Sequence, residues 1–247
     1  MITTIFSSNM SVDRSIFAVN LAAVITRNLR KVALVDLTIP MHTLNWKARR
    51  VAAELKPKFA VHDPLGLPFE LENRNSYLRT HYHEIIIDTD GTDSWFAESA
   101  MAASQIIIVP FWHGQDNATL HKKLIERVER IKLFHRTLRM LVVDMQRTSA
   151  KNNVGTRQSD EAKAFAQTIP GAKLADVVMH EWLGARRAFD DGLSIFENNS
   201  RNELAEAEMK ELYQEIVLIK NAPTHAAESA SITHAIHAII HPKSQRN

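Results

Sequence analysis

The 247-residue chain has no cysteine and only seven glycines, none of them before position 66. The first absence excludes disulfides, thiolate catalysis and cysteine-based zinc sites, agrees with a reducing compartment, and leaves histidine as the strong transition-metal ligand. The second means that a phosphate-wrapping loop near the start would lack the residue that adopts positive φ without steric cost. An excess of one charge is also missing. The balance of 30 basic and 28 acidic residues gives a formal net charge of +2, so bulk charge does not argue for nucleic-acid binding and any basic surface must be local. No apolar run approaches the roughly 20 residues of a membrane span, and Met1 does not open a charged-then-apolar leader, so a soluble cytoplasmic protein is expected. Internal repeats and Pro- or Gly-rich linkers are absent too.

What is present is a hydrophobic content of 45%, enough for a substantial core. Short runs rich in β-branched residues recur at Ile2–Phe6, Lys31–Val35, Glu84–Ile87, Gln105–Val109, Arg139–Val143 and Leu174–Val178. Between most of them lie segments with apolar residues at three- and four-residue spacing, among them Ile16–Leu29, Leu120–Phe134 and Asp160–Thr168. Strands alternating with helices predict an α/β fold: a mostly parallel, doubly wound sheet with helices on both faces. One domain is expected over residues 1–220, followed by a tail, 221–247. Ligands of such sheets bind outside the carboxyl ends of the strands, so segments 7–15, 36–46, 88–94, 110–117 and 144–157 are the places to look for chemistry.

Four of these stretches carry a family resemblance. They are "AVNLAAVITRNLRKVALVDL" (18–37), "YHEIIIDTDGTDS" (82–94), "ASQIIIVPFWHGQDNATL" (103–120) and "RRAFDDGLSIFE" (186–197). In this order and spacing they resemble the ParA/MinD family of deviant Walker ATPases, most closely short ParA partition proteins without an N-terminal DNA-binding domain. The resemblance runs from Met1 to about Val217 and implies a P-loop NTPase-like fold, ATP or ADP with Mg2+ as ligands, and a homodimer.

The family's phosphate loop reads Lys-Gly-Gly-x-Gly-Lys-Thr, with backbone N–H groups around the phosphates and two lysines neutralising them. The matching positions here are Asn9, Met10, Ser11, Val12, Asp13, Arg14 and Ser15. Ser15 keeps a hydroxyl that Mg2+ could use. Arg14 keeps the charge of the P-loop lysine but as a planar guanidinium on a longer stem. Asn9 replaces the signature lysine, and Asp13 adds a carboxylate beside the expected phosphates. Asp36 matches the first aspartate after the second strand, while Thr38 stands where a second aspartate would orient the attacking water. Asp88 matches the Walker B aspartate, and Asp144 replaces the asparagine expected to recognise adenine. The resemblance thus places nucleotide contacts at Asn9, Ser11, Asp13, Arg14, Ser15, Asp36 and Asp144, and Mg2+ contacts at Ser15, Asp36 and Asp88. Two readings stay open for the aspartates and for Arg14. Asp36 and Asp88 are either inherited metal positions or caps of the turns that follow, and Arg14 either touches phosphate or pairs with Asp13, Asp36 or Asp88.

Outside this region, Arg157, Lys173, Arg186 and Arg187 are the candidates for phosphate contacts to non-specific DNA, which need only clustered positive charge. The histidines, His113 and His121 among them, are expected at the surface rather than on a metal. The tail segment "ASITHAIHAIIH" (230–241) has one apolar helical side, expected to pack on the domain or on a second copy rather than on a membrane. Together these features predict a ParA-like protein with a degenerate nucleotide site, acting in plasmid or chromosome partition or in DNA positioning linked to transfer, through dimerisation and DNA or a DNA-binding adaptor. The alternatives are an active ATPase with an atypical loop, and a non-DNA scaffold that localises an envelope, secretion or cellulose-synthesis machine.

Overall fold

A computed structural model describes residues 1–6, 12–63, 76–89, 94–113, 118–147, 154–181, 183–198 and 202–222, with side chains left out at 12, 118, 120, 147, 154–158 and 183. Eight strands form one all-parallel sheet: β1 (Ile2–Ile5), β2 (Val32–Leu37), β3 (Ala60–His62), β4 (Glu84–Thr89), β5 (Ile106–Trp112), β6 (Arg139–Arg147), β7 (Ala172–Leu174) and β8 (Met179–Glu181). Their order is β3-β2-β4-β1-β5-β6-β7, with β8 also on β6. The helices are α1 (Val12–Arg27), α2 (His42–Ala52), α3 (Tyr77–His81), α4 (Trp95–Ala103), α5 (Ala118–Lys132), α6 (Val154–Thr168), α7 (Leu183–Asp190) and α8 (Glu203–Asn221).

Alternation along the strands builds two cores, as a sheet covered on both faces requires. Ile106, Ile108, Leu141 and Val143 face a core shared with α1, α7 and α8, whereas Ile107, Val109, Met140 and Val142 face α5 and α6. The doubly wound α/β architecture expected from the sequence is present.

Two local features differ from expectation. The run Leu174–Val178 is not a strand: the edge breaks there, and β7 and β8 pair separately with residues 140–142 and 145–147 of β6. The break has a cause, since Ala175 N–H still bonds Val142 O while Asp176 N–H turns to the Glu215 carboxylate of α8. Helix α1, read from spacing as an ordinary one-sided helix, is buried at every position from Arg14 to Ile25, because the sheet, α2, α7 and α8 all contact it. Its Asn20 is satisfied inside, donating to Ile16 O and accepting from Ile195 N–H.

The "RRAFDDGLSIFE" segment docks α2. Gly192 takes φ +73°, and a Cβ there would meet Arg50 N at 2.7 Å, so both conformation and close approach require glycine. Arg50 in turn grips Glu197 through both terminal nitrogens at 3.0 and 3.1 Å, and Trp46 Nε1–H donates to Leu193 O.

Candidate functional site

The start of α1 and the carboxyl ends of β2 and β4 meet where the sequence places a nucleotide. Register sets Asp36 beside Asp88 on neighbouring strands, and both side chains are fully buried. Arg14, 1% exposed, does not reach outward: its Nε–H donates to Asp88 Oδ1 at 3.0 Å. Ser15 Oγ–H donates to the other oxygen, Oδ2, at 2.5 Å. Both Asp88 oxygens are thus engaged by protein groups. Burial pushes the Asp88 carboxyl up to about 6; Arg14 and the Ser15 hydroxyl pull the other way and neighbouring Asp36 adds to the rise. A pair of this kind is costly to break, since removing either partner strands a buried charge at about 3–5 kcal/mol.

Asp36 is committed differently. Its Oδ1 accepts from Thr38 N–H at 2.9 Å and Thr38 Oγ1–H at 2.7 Å. Its Oδ2 accepts from Thr43 and Leu44 N–H, at 2.8 and 2.9 Å. All four lone-pair positions of the carboxylate are therefore filled. Met41, the residue at the N-cap of α2, makes no side-chain capping bond, so Asp36 serves the helix in its place. Thr38, expected where a second aspartate would orient water, also accepts from His42 N–H at 3.0 Å and belongs to the same cap.

Asp144, at the end of β6, is 1% exposed and faces a closed polar cluster. His113 Nε2 lies 2.6 Å from its Oδ1, while Gln146 Nε2–H and Ser159 Oγ–H donate to Oδ2 at 2.8 and 3.0 Å. Glu161 adds a carboxylate 3.2 Å from His113 Nδ1. His113 is not the surface residue expected: its side chain is 8% exposed because β5 and β6 pair in register and bring it over Asp144. His121 stacks on Phe165 at 4.0 Å. Reading the carboxyl ends of adjacent parallel strands as neighbours would have found the His113–Asp144 contact.

Asp13 is brought to an unforeseen partner, Arg186 of α7, whose Nη1 stands 3.3 Å from its Oδ1 across 173 residues of sequence. Nothing local in the sequence signals that pair. Arg187 is exposed next to it. Lys173, also exposed, sits on β7 opposite Leu141, well before the part of β6 that β8 and α7 adjoin, so it does not share a patch with Arg186 and Arg187. The backbone of Arg157 runs in α6 and its side chain lies outside the description; Asn9, Ser11 and the tail segment 230–241 lie outside the described residues.

These donors do not fit Mg2+. The ion wants a near-octahedral oxygen shell in which water or phosphate completes one or two carboxylates. Here Asp36 has no acceptor position left, Asp88 is capped by a guanidinium and a hydroxyl, and no group of three His, Asp or Glu suited to a metal occurs among the described residues. On the described side of the site, Asp13 contributes a carboxylate paired with Arg186, and Arg14 is turned to Asp88. Among the described residues no helix is long and apolar enough to cross a membrane.

No protein-family model matches the chain, and none of the curated proteins does. Solved structures do. A protein of Borrelia burgdorferi described as a plasmid partition protein, bound to AMPPNP, superposes with a TM-score of 0.61 at 16% identity over 89% of this chain and 98% of its own. Apo McdA of Cyanothece gives 0.59 at 10% identity over 89% and 98%. The MinC:MinD cell division complex of Aquifex aeolicus gives 0.57 at 11% identity over 90% and 97%. The fold is therefore of the ParA/MinD type, as the sequence resemblance implied.

Proposed function

We propose that this chain is a ParA-like positioning protein in which an internal Arg14–Asp88–Ser15 cluster has replaced the nucleotide-dependent switch. It acts in the cytoplasm in plasmid or chromosome partition, or in DNA positioning linked to transfer. The working unit is a homodimer that holds non-specific DNA or a DNA-binding adaptor; residues 1–220 form its folded domain and 221–247 its tail. The observation that carries this reading is the direction of Arg14. A guanidinium facing the phosphates would neutralise ligand charge; facing Asp88 it neutralises the protein's own charge, and a polyanion then meets Asp13 without a nearby free cation from α1. Support for the positioning role comes from the fold shared with partition and division proteins.

An active ATPase with an atypical loop is the second reading. It is favoured by the contact between Ser15 and Asp88, two of the three positions to which the resemblance assigns the metal. Calorimetry with ATP and Mg2+, run beside sedimentation of the same sample, separates the two. The proposal expects no micromolar binding and a dimer fraction indifferent to ATP. Micromolar heat together with phosphate release that Asp88→Ala abolishes would establish the ATPase instead.

A further inference from the structure

Strand register lines up the amino ends of the sheet: Val32 pairs with Glu84, Ile2 with Ile85, Thr3 with Ile106, and Ile106 with Arg139. The turns that enter the strands at this end, together with the end of α8, are 28–31, 53–59, 82–84, 104–105, 132–139, 170–171 and 218–222. Arg139 fixes α8 here by donating to Ile219 O and Ala222 O. These segments hold eight lysines and arginines against two carboxylates, Glu54 and Glu84. Glu84 is buried and already neutralised, by Arg30 at 2.7 Å and Lys220 at 3.5 Å. The carboxyl ends carry Asp36, Asp88, Asp144 and Glu181 instead. A net charge of +2 therefore hides a separation of charge along the strands, with a basic amino end.

Apolar side chains stand out of the same end. Among the described residues five large apolar side chains are at least 70% exposed, and four of them are here: Leu29 at 93%, Phe134 at 88%, Leu133 at 72% and Leu218 at 70%. The fifth, Ile39, follows β2 at the opposite end. One exposed leucine needs no account, but four on one end beside exposed cations such as Lys31 and Arg136 do. They do not surround a small ligand. Leu29 precedes β2 and Phe134 precedes β6, four strand steps apart, which is roughly 19 Å at about 4.8 Å per step. A broad surface meets both.

We infer that this end docks on an anionic lipid bilayer. Leu29, Leu133, Phe134 and Leu218 enter the headgroup region, and Lys31 and Arg136 meet lipid phosphates. Shallow apolar insertion and charge attraction are each marginal alone and reinforce one another. A nucleic acid would use the cations, but its phosphate contacts gain nothing from leucines and a phenylalanine held out in water. The surface uses neither the Arg14–Asp88–Ser15 cluster nor α7, which adjoins the start of α1 at the opposite end of the strands. Its failure therefore leaves the proposed function standing.

The test is sedimentation of the full chain with phosphatidylcholine vesicles containing about 30% phosphatidylglycerol, at about 0.1 M salt. Expected is binding that weakens at least tenfold on pure phosphatidylcholine. The same loss is expected in Leu133→Ser with Phe134→Ser and in Lys31→Glu with Arg136→Glu, both with thermal melting unchanged because all four side chains are exposed. The chain has no cysteine, so Thr137→Cys carries a single polarity-sensitive dye. Its emission should shift to the blue on the mixed vesicles, whereas the same dye at Leu204→Cys, at the start of α8, should not move. A tail variant, Ile236→Asp with Ile240→Asp, should bind as the wild type does. Vesicle binding that the tail variant loses and Leu133→Ser with Phe134→Ser keeps overturns the inference and assigns the lipid to the tail. A wild type that stays in solution with the mixed vesicles overturns it outright. DNA retention that Lys31→Glu with Arg136→Glu abolishes, in the absence of vesicle binding, overturns the lipid and makes this end a nucleic-acid surface.

Discussion

Arg14 occupies the position of a phosphate-binding lysine, and burial decides which way it turns. A guanidinium carried into a core at 1% exposure must find a carboxylate, and Asp88 is the one within reach of its Nε. The same burial leaves Asp88 with a carboxyl raised to about 6 against an ordinary value of 3.8. The sign of the pH effect follows. Because the folded value is the higher one, the stabilising contribution is fully present below about pH 4, falls as pH rises and is gone above about pH 6, a change of at most about 3 kcal/mol. Urea unfolding of the wild type and Asp88→Asn, compared from pH 4 to 7.5, should therefore show the asparagine variant gaining relative stability up to pH 6 and none beyond. A difference that does not move with pH would mean that Asp88 ionises like an exposed carboxyl.

At the scale of elements, α2 depends on a cap that is not its neighbour in sequence. Asp36 accepts from backbone N–H groups seven and eight residues ahead, besides binding Thr38. Truncation strands several buried donors at once. Asp36→Ala is expected to lower stability by about 3 kcal/mol, and Asp36→Asn by roughly half of that, since one oxygen survives while the amide opposes the remaining donors. Denaturation midpoints at constant m measure both, and added Mg2+ should leave the wild-type midpoint unchanged. Stabilisation of the wild type by millimolar Mg2+ would show that the cap yields to a metal. The same kind of long-range service explains the "GLSIFE" segment: its glycine, Leu193 carbonyl and Glu197 hold the end of α2 through Arg50 and Trp46.

For the whole molecule, the question is where positive charge collects. Net charge is small, and Lys173 stands apart from Arg186 and Arg187 by strand register. If the proposed role in holding DNA is right, α7, next to the start of α1, is the face that carries it. Filter retention of plasmid DNA by the wild type should weaken with salt, and the double substitution Arg186→Glu, Arg187→Glu should cost at least about tenfold at low salt and flatten the salt slope by about two phosphate contacts. Unchanged retention would move the DNA surface elsewhere or favour the scaffold reading.

The strand and helix periodicity, the family resemblance carried by the order and spacing of four sequence stretches, and the carboxyl-end location of the candidate residues were legible in the sequence, because hydrophobic patterning and motif spacing are local properties of the chain. Missing glycines and the Arg14, Thr38 and Asp144 replacements were legible too, as departures from a pattern. What each replacement does was not. Whether Arg14 faces a phosphate or Asp88, whether Asp36 holds a metal or α2, and whether Asp144 meets a base or His113 depend on burial and on strand register. Asp13 and Arg186 are 173 positions apart, and only the packing of α7 against α1 brings them within 3.3 Å. Side-chain charge is written in the sequence, but the dielectric and the partner that decide its use are set by what the fold places around it.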